Sequence, residues 1–195
     1  MKVLGIILIV LAWCGNHLVL GQELSITNVK QHKKSLEIDI VLKNTSDKDV
    51  FIVMPNPRDK AKYSYYITSD ERSGLLEIRR HFYIFPPEVI TNVEYPCFSL
   101  DQVKSKEIYK ETIFLNYPAS PTYLFFDMKT DIGKFKSIRF QLGLLPFDDS
   151  LAELQNKKPF GRCVDGQEKI SEGPYKDRTL IEVQNVLRSN EIKIN

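Results

Sequence analysis

The sequence predicts a mainly β chain folded as two packed antiparallel layers, and three features carry that prediction. Leu36, Ile38, Ile40 and Leu42 fall on one face of an extended segment, with Glu37, Asp39 and Lys43 on the other and Val41 the one apolar exception. That is the period of a half-buried strand; a helix would scatter the four apolar residues around its circumference. Val50 to Met54 is a second, unbroken apolar run that Pro55 ends. Short polar turns then separate apolar segments along most of the chain, and helical character is confined to its last quarter. A sheet with one wet face needs a second layer over its dry face, so the Leu36 to Met54 pair already asks for a sandwich.

Leu24 to Val29 reads as a short first strand, followed by the hydrophilic turn Gln31 to Lys34. Asn44 to Asp49 separates the central pair, because short polar side chains bond their own backbone and favour turns. Two prolines in Pro55-Asn56-Pro57 forbid ladder bonding there. Tyr63 to Thr68 is an aromatic strand, with Tyr63, Tyr65 and Ile67 on one side and Tyr66 on the other. After a turn at Asp70 to Gly74, Leu76, Ile78, Phe82 and Ile84 share a parity that Arg80 interrupts, and Pro86-Pro87 closes the segment. Ile108 to Asn116 is a strand in which Glu111 falls on the parity of Tyr109, Ile113 and Leu115, which predicts a bulge or a solvent-exposed start. Tyr123 to Met128 is a further apolar strand. In the next, Phe135 to Leu145, Ile138, Phe140, Leu142 and Leu144 face inward and Arg139 and Gln141 outward.

Beyond Pro146 the composition shifts. Ser150 and Glu153 have capping-box spacing and predict one short helix, and a charged, glycine-containing stretch runs from Lys157 to Arg178. Thr179 to Leu187 fits a capped helix, through Thr179 and Glu182, about as well as it fits an alternating strand. Glu191 to Ile194 is a short closing strand.

The N-terminus reads as an export signal. Lys2 is the charged region, Val3 to Trp13 the apolar one, and Val19-Leu20-Gly21 offers small residues for cleavage, giving a signal peptide over 1–21. Leu11-Ala12-Trp13-Cys14 supplies a lesser alternative, lipidation at Cys14, and only then would the mature protein sit on a membrane. Removing 21 of the 195 residues leaves 174, enough for one well-buried domain over 22–195. With Lys2 gone, 26 basic residues face 25 acidic ones, a balance that gives no footing for nucleic acid. The two remaining cysteines, Cys97 and Cys163, suggest one disulfide in an oxidising compartment, worth about 4 kcal/mol in the chain-entropy model; two buried thiols are the alternative.

Three local patterns together resemble bacterial secreted immunoglobulin-like sandwich domains. The strand, Asn44-Thr45-Ser46-Asp47 turn and strand is similar to the second and third strands of such domains. Gly133-Lys134-Phe135-Lys136-Ser137-Ile138-Arg139 resembles the corner that opens a late strand, with phenylalanine where the corner has tyrosine, so its hydroxyl bond across the corner is lacking. Leu187 to Ile194 resembles the closing Ser-Asn turn and last strand. The resemblance implies an immunoglobulin-like antiparallel β-sandwich with a short helix and loop insertion, 146–178, before the last strand. It also favours strand for Thr179 to Leu187.

Chemistry leaves fewer marks. The mature chain has two histidines: His32 in a lysine-flanked turn, and His81 on the parity opposite Ile78, beside Arg79 and Tyr83, which reads as surface. No nucleophile elbow, phosphate loop, dinucleotide fingerprint or zinc motif is present. Asp148-Asp149, or Asp127 with Asp131, are oxygen-rich enough for calcium, but their plainer roles are a helix start and a turn. No metal or cofactor is expected. Asn44-Thr45-Ser46 is a glycosylation acceptor in a eukaryotic host. Tyr63, Tyr65, Tyr66, Tyr83 and Phe85 form the candidate binding surface, since tyrosines on both faces of one strand cannot all be core, and exposed rings stack on sugars or anchor proteins. The expectation is a secreted or periplasmic, non-catalytic binding or cell-envelope structural protein recognising a protein or glycan surface. The alternatives are a hydrolase using carboxylates of the 146–178 insertion and an exported protease inhibitor.

Overall fold

The computed structural model describes residues 21–55, 65–70, 72–82, 98–116, 135–156 and 166–194. The chain is mainly β, in two sheets that share one apolar core. The first sheet has the order β1 (Gln22–His32), β2 (Ser35–Asn44), β7 (Ile108–Asn116). The second contains β4 (Tyr66–Asp70), β5 (Leu75–Arg80), β8 (Ser137–Pro146), β3 (Val50–Pro55) and β6 (Phe98–Val103), with β9 (Asn185–Arg188) and β10 (Ile192–Lys193) also paired to β8.

The alternating strand is the middle of the first sheet. Leu36, Ile38, Ile40 and Leu42 are each no more than 1% exposed, and meet Leu76, Ile78, Ile138, Phe140, Leu142 and Leu144 from the facing sheet. The apolar run of β3 has a different cause. Val50 and Ile52 point into this shared core, while Phe51 and Val53 point the other way into a second core with Leu151, Ile170, Leu180 and Val183. A strand buried on both faces reads as a continuous apolar run rather than an alternation. Described residues of the 146–178 stretch, with the helix that follows it, thus pack over the outer face of the second sheet.

Local chemistry explains the helices. In α1 (Asp149–Asn156) the cap is Asp148, whose Oδ1 accepts from Ser150 N at 2.9 Å, so the expected Ser150 cap is displaced by two residues. The capping box at Thr179 and Glu182 does form, starting α2 (Leu180–Val183), and only Asn185–Arg188 beyond it is strand. The preference for strand throughout 179–187 was thus half wrong, because a four-residue helix fits between the two signals.

One further expectation fails, and another holds in one of its two forms. The sheets are not wholly antiparallel: β5 runs parallel to β8, Leu75 to Arg80 pairing with Ser137 to Leu142. Gly74 makes the entry to that pairing possible, turning at φ +70° and offering its carbonyl to Lys136 N and Ser137 N. Of the two alternatives for β7, the solvent-exposed start is the one found, with Ile108 52% exposed, and no bulge interrupts the strand, which pairs with β2 in unbroken register from Ile108 to Asn116. The irregularity lies in β1 instead, between Ile26 and Asn28. There the Asn190 side chain acts as a second strand, accepting from Ile26 N at 2.8 Å and donating to Ile26 O at 3.2 Å. That bond joins the edge of the first sheet to the segment between β9 and β10.

The register of β8 contains a fork. Leu142 pairs with Arg80 on one flank and Leu187 on the other; Leu144 pairs with Ile52 and Asn185. Since a strand has two flanks, β5 and β3 follow one another along the same one, and Gly143 marks the change of partner. A Cβ on Gly143 would come within 2.9 Å of His81 Cβ, so the chain leaving β5 passes close only because that side chain is missing.

Candidate functional site

Arg80 ends β5 at the fork and points into the core, 0% exposed. It falls there because it shares the parity of Leu76 and Ile78, the same parity that made it look like an interruption. Glu111 reaches it from β7 in the facing sheet, Arg80 Nη1 donating to Glu111 Oε2 at 2.6 Å. This is why Glu111 occupies an inward position without a bulge. Two tyrosines complete the group. Tyr109 Oη donates to Glu111 Oε2 at 2.8 Å and lies 3.5 Å from Met54 Sδ, while Tyr65 Oη donates to Glu111 Oε1 at 3.3 Å. The guanidinium carbon stands 5.8 Å from the Tyr65 ring centre and 5.4 Å from that of Phe140, a cation held between aromatic faces.

The electrostatics follow from that burial. Desolvation works against the Arg80 charge, but the Glu111 carboxylate and the tyrosine oxygens outweigh it and its pKa is raised. Burial pushes both tyrosine hydroxyls well above their ordinary range, with Glu111 adding to the effect and Arg80 opposing it. The group is an ion pair by geometry, with the two phenol hydroxyls as donors to its carboxylate. Chemically it can tie two sheets together; its acid and base already face one another.

The other polar clusters have comparable ties. His81, expected at the surface, is 7% exposed. Parity counting fails for it because β5 stops at Arg80, after which Arg80, His81 and Phe82 are all buried in succession. Its Nδ1 lies 2.8 Å from Phe82 O, and Gln184 clamps the same residue, accepting from Phe82 N at 3.0 Å and donating to Phe82 O at 2.7 Å. Burial lowers the His81 pKa below its ordinary 6.5; the Phe82 carbonyl opposes this in part, the charge of Arg79 adds a smaller lowering, and Gln141 and Glu77 oppose it more weakly still. The folded chain then resists a proton that the unfolded chain accepts, so this contribution to stability is complete above pH 6.5 and is lost as pH falls. Urea denaturation is expected to show wild type losing more stability than His81→Gln between pH 7 and pH 5; parallel curves would contradict the assignment. On the outer face of the second sheet, Glu77 accepts from Arg79 at 2.6 Å and Gln141 at 3.1 Å, which also covers Gln141, expected to face outward.

Of the aromatic binding candidates, Tyr65 is partly buried against the core, and its hydroxyl belongs to the Arg80 group. Tyr63, Tyr83 and Phe85, the side chain of Tyr66, and the cysteines Cys97 and Cys163 lie outside the described residues, as do Asp127, Asp131 and the Tyr123 to Met128 strand. Among the described residues no three His, Cys, Asp or Glu side chains gather in a way that could hold a metal, and Asp148 is the helix cap. Also among them, no helix is long and apolar enough to cross a membrane. Sequence reasoning missed the Arg80–Glu111 pair, although both residues stood on the inward parity of their strands. No protein-family model, no curated protein and no solved structure matches the chain.

Proposed function

We propose that this chain is a secreted or periplasmic binding or envelope-structural module, non-catalytic, on an immunoglobulin-like sandwich framework. The observation that carries the reading is the Arg80, Glu111, Tyr65 and Tyr109 group. Among the described residues, these four side chains bond one another across the sheets, where they stiffen a scaffold. A stiff scaffold suits recognition by its connecting segments, and loops on a rigid frame are where binding residues concentrate. With Tyr65 turned toward the core, the recognition role rests on Tyr63, Tyr66, Tyr83 and Phe85. The ligand class is a protein or glycan surface that stacks on aromatic rings.

Support for the Cys97–Cys163 disulfide comes from their described neighbours. The Phe98 ring packs edge-on against Phe82 with centroids 5.5 Å apart, and Gly166 lies so close to Phe82 that a Cβ there would reach its Cβ at 2.7 Å. Phe82 thus meets both Phe98, one residue after Cys97 in sequence, and Gly166, three residues after Cys163. Mass spectrometry of the exported protein is expected to find Gln22 at the N-terminus and a mass about 2 Da below that of the reduced chain. A lipid-bearing Cys14 or two alkylatable thiols would refute these two parts.

The functional test pairs two measurements on the purified mature protein. Binding to a glycan array and to cell-envelope fractions is expected to fall at least tenfold when Tyr63, Tyr66, Tyr83 and Phe85 are replaced by Ala, with the melting temperature unchanged. Turnover of ester, glycoside or peptide substrates that disappears with carboxylates of the 146–178 insertion would instead establish the hydrolase.

A further inference from the structure

The acceptor motif Asn44-Thr45-Ser46 places a potential modification site at the end of β2. The structure shows what its asparagine does. Asn44 is 1% exposed. Its Nδ2 lies 2.8 Å from Lys48 O, 3.0 Å from Lys104 O and 3.3 Å from Val103 O, so both amide protons point at carbonyls of two different turns. Its Oδ1 accepts from Gln22 Nε2 at 3.0 Å and lies 2.6 Å from Ser46 Oγ. Its backbone N donates to Glu107 O at 2.9 Å. One side chain therefore knots together the start of β1, the turn from β2 to β3, and the turn from β6 to β7.

We infer that Asn44 is closed to N-glycosylation by folding, and that a glycan there and the native fold exclude one another. Transfer forms a bond between Nδ2 and the anomeric carbon of the sugar, the lipid diphosphate leaves, and one amide proton is lost. The sugar would have to occupy the space where the Lys48, Val103 and Lys104 carbonyls converge, and one of those carbonyls would lose its donor inside the protein. The hydroxyl of Ser46, the third member of the motif, is also engaged, lying 2.8 Å from Lys48 O and accepting from Lys48 N at 3.3 Å. Local sequence makes the site look like an exposed turn, and only the arrival of Val103 and Lys104, some sixty positions away, closes it. In any compartment that glycosylates, this end of the fold must form before the transferase reaches it.

The test compares the folded chain with a peptide spanning residues 40–50 in glycosylating microsomes. The peptide is expected to gain a glycosidase-sensitive mass, and the folded chain less than a tenth of the peptide's occupancy. Full-length chain expressed through a eukaryotic secretory route is expected to appear in the medium without a glycan at Asn44. Folded chain modified as fully as the peptide, or secreted protein glycosylated at Asn44 with the melting temperature of the bacterial product, would overturn the inference.

Discussion

Glu111→Leu is expected to destabilise the chain by about 3–5 kcal/mol, because it leaves Arg80 as an uncompensated charge in the core. Arg80 is 0% exposed and its guanidinium has no route to water, while two phenol hydroxyls lose their acceptor with the same change. Arg80→Met is expected to cost less, about 2–3 kcal/mol, since the Glu111 side chain keeps 20% exposure and can recover some hydration. The double variant Arg80→Met with Glu111→Leu removes both charges and fills the space with apolar groups, and is expected to fall within about 1–2 kcal/mol of wild type. Urea denaturation of the four proteins at pH 7 closes the cycle. If the two single losses simply add in the double variant, the pair is not acting as a unit and the cross-sheet tie is mistaken.

That pair also shows where the sequence was legible and where it was not. The inward face of β2 could be read from four residues, because a period of two on a half-buried strand is a local property. The double-sided burial of β3 was present as an unbroken apolar run, but whether a run is covered on its second face depends on a layer roughly a hundred or more residues away. Arg80 and Glu111 each broke a clean pattern, and each was read as a local flaw. Taken together they were the signal: opposite charges on the buried parity of two strands, which no single-strand reading pairs. The parallel contact between β5 and β8 is equally invisible, since it is fixed by how two distant strands dock. The amides were hidden for another reason. Asn44, Gln184 and Asn190 look like ordinary turn and linker residues, yet each bonds backbone groups that lack a ladder partner. A carboxamide carries one donor group and one acceptor, like a peptide unit, so it can stand in for a missing strand wherever the fold brings it. Tyr65 turns toward the core for a related reason: a tyrosine can be partly buried when its hydroxyl finds a partner, and Glu111 is that partner.

The second large effect tests the face assignment on which the two-layer arrangement rests. Ile38 is 0% exposed and lies between Val29 of β1 and Ile113 of β7 in the register of the first sheet. Ile38→Ala removes three carbons from a site enclosed on both flanks and from the facing sheet, with little freedom to collapse, and is expected to cost about 3–4 kcal/mol. Val41, three positions on, has the opposite parity and pairs with Ser25 and Lys110 on the outer face. Val41→Thr keeps the β-branched shape and strand preference and changes only polarity, so it is expected to stay within about 0.5 kcal/mol of wild type. Because a slip of one residue would exchange the two faces, the pair discriminates between registers where either variant alone would report only damage. A large loss at Val41 with a small one at Ile38 would invert β2 and separate Leu36, Ile40 and Leu42 from the core they share with β8.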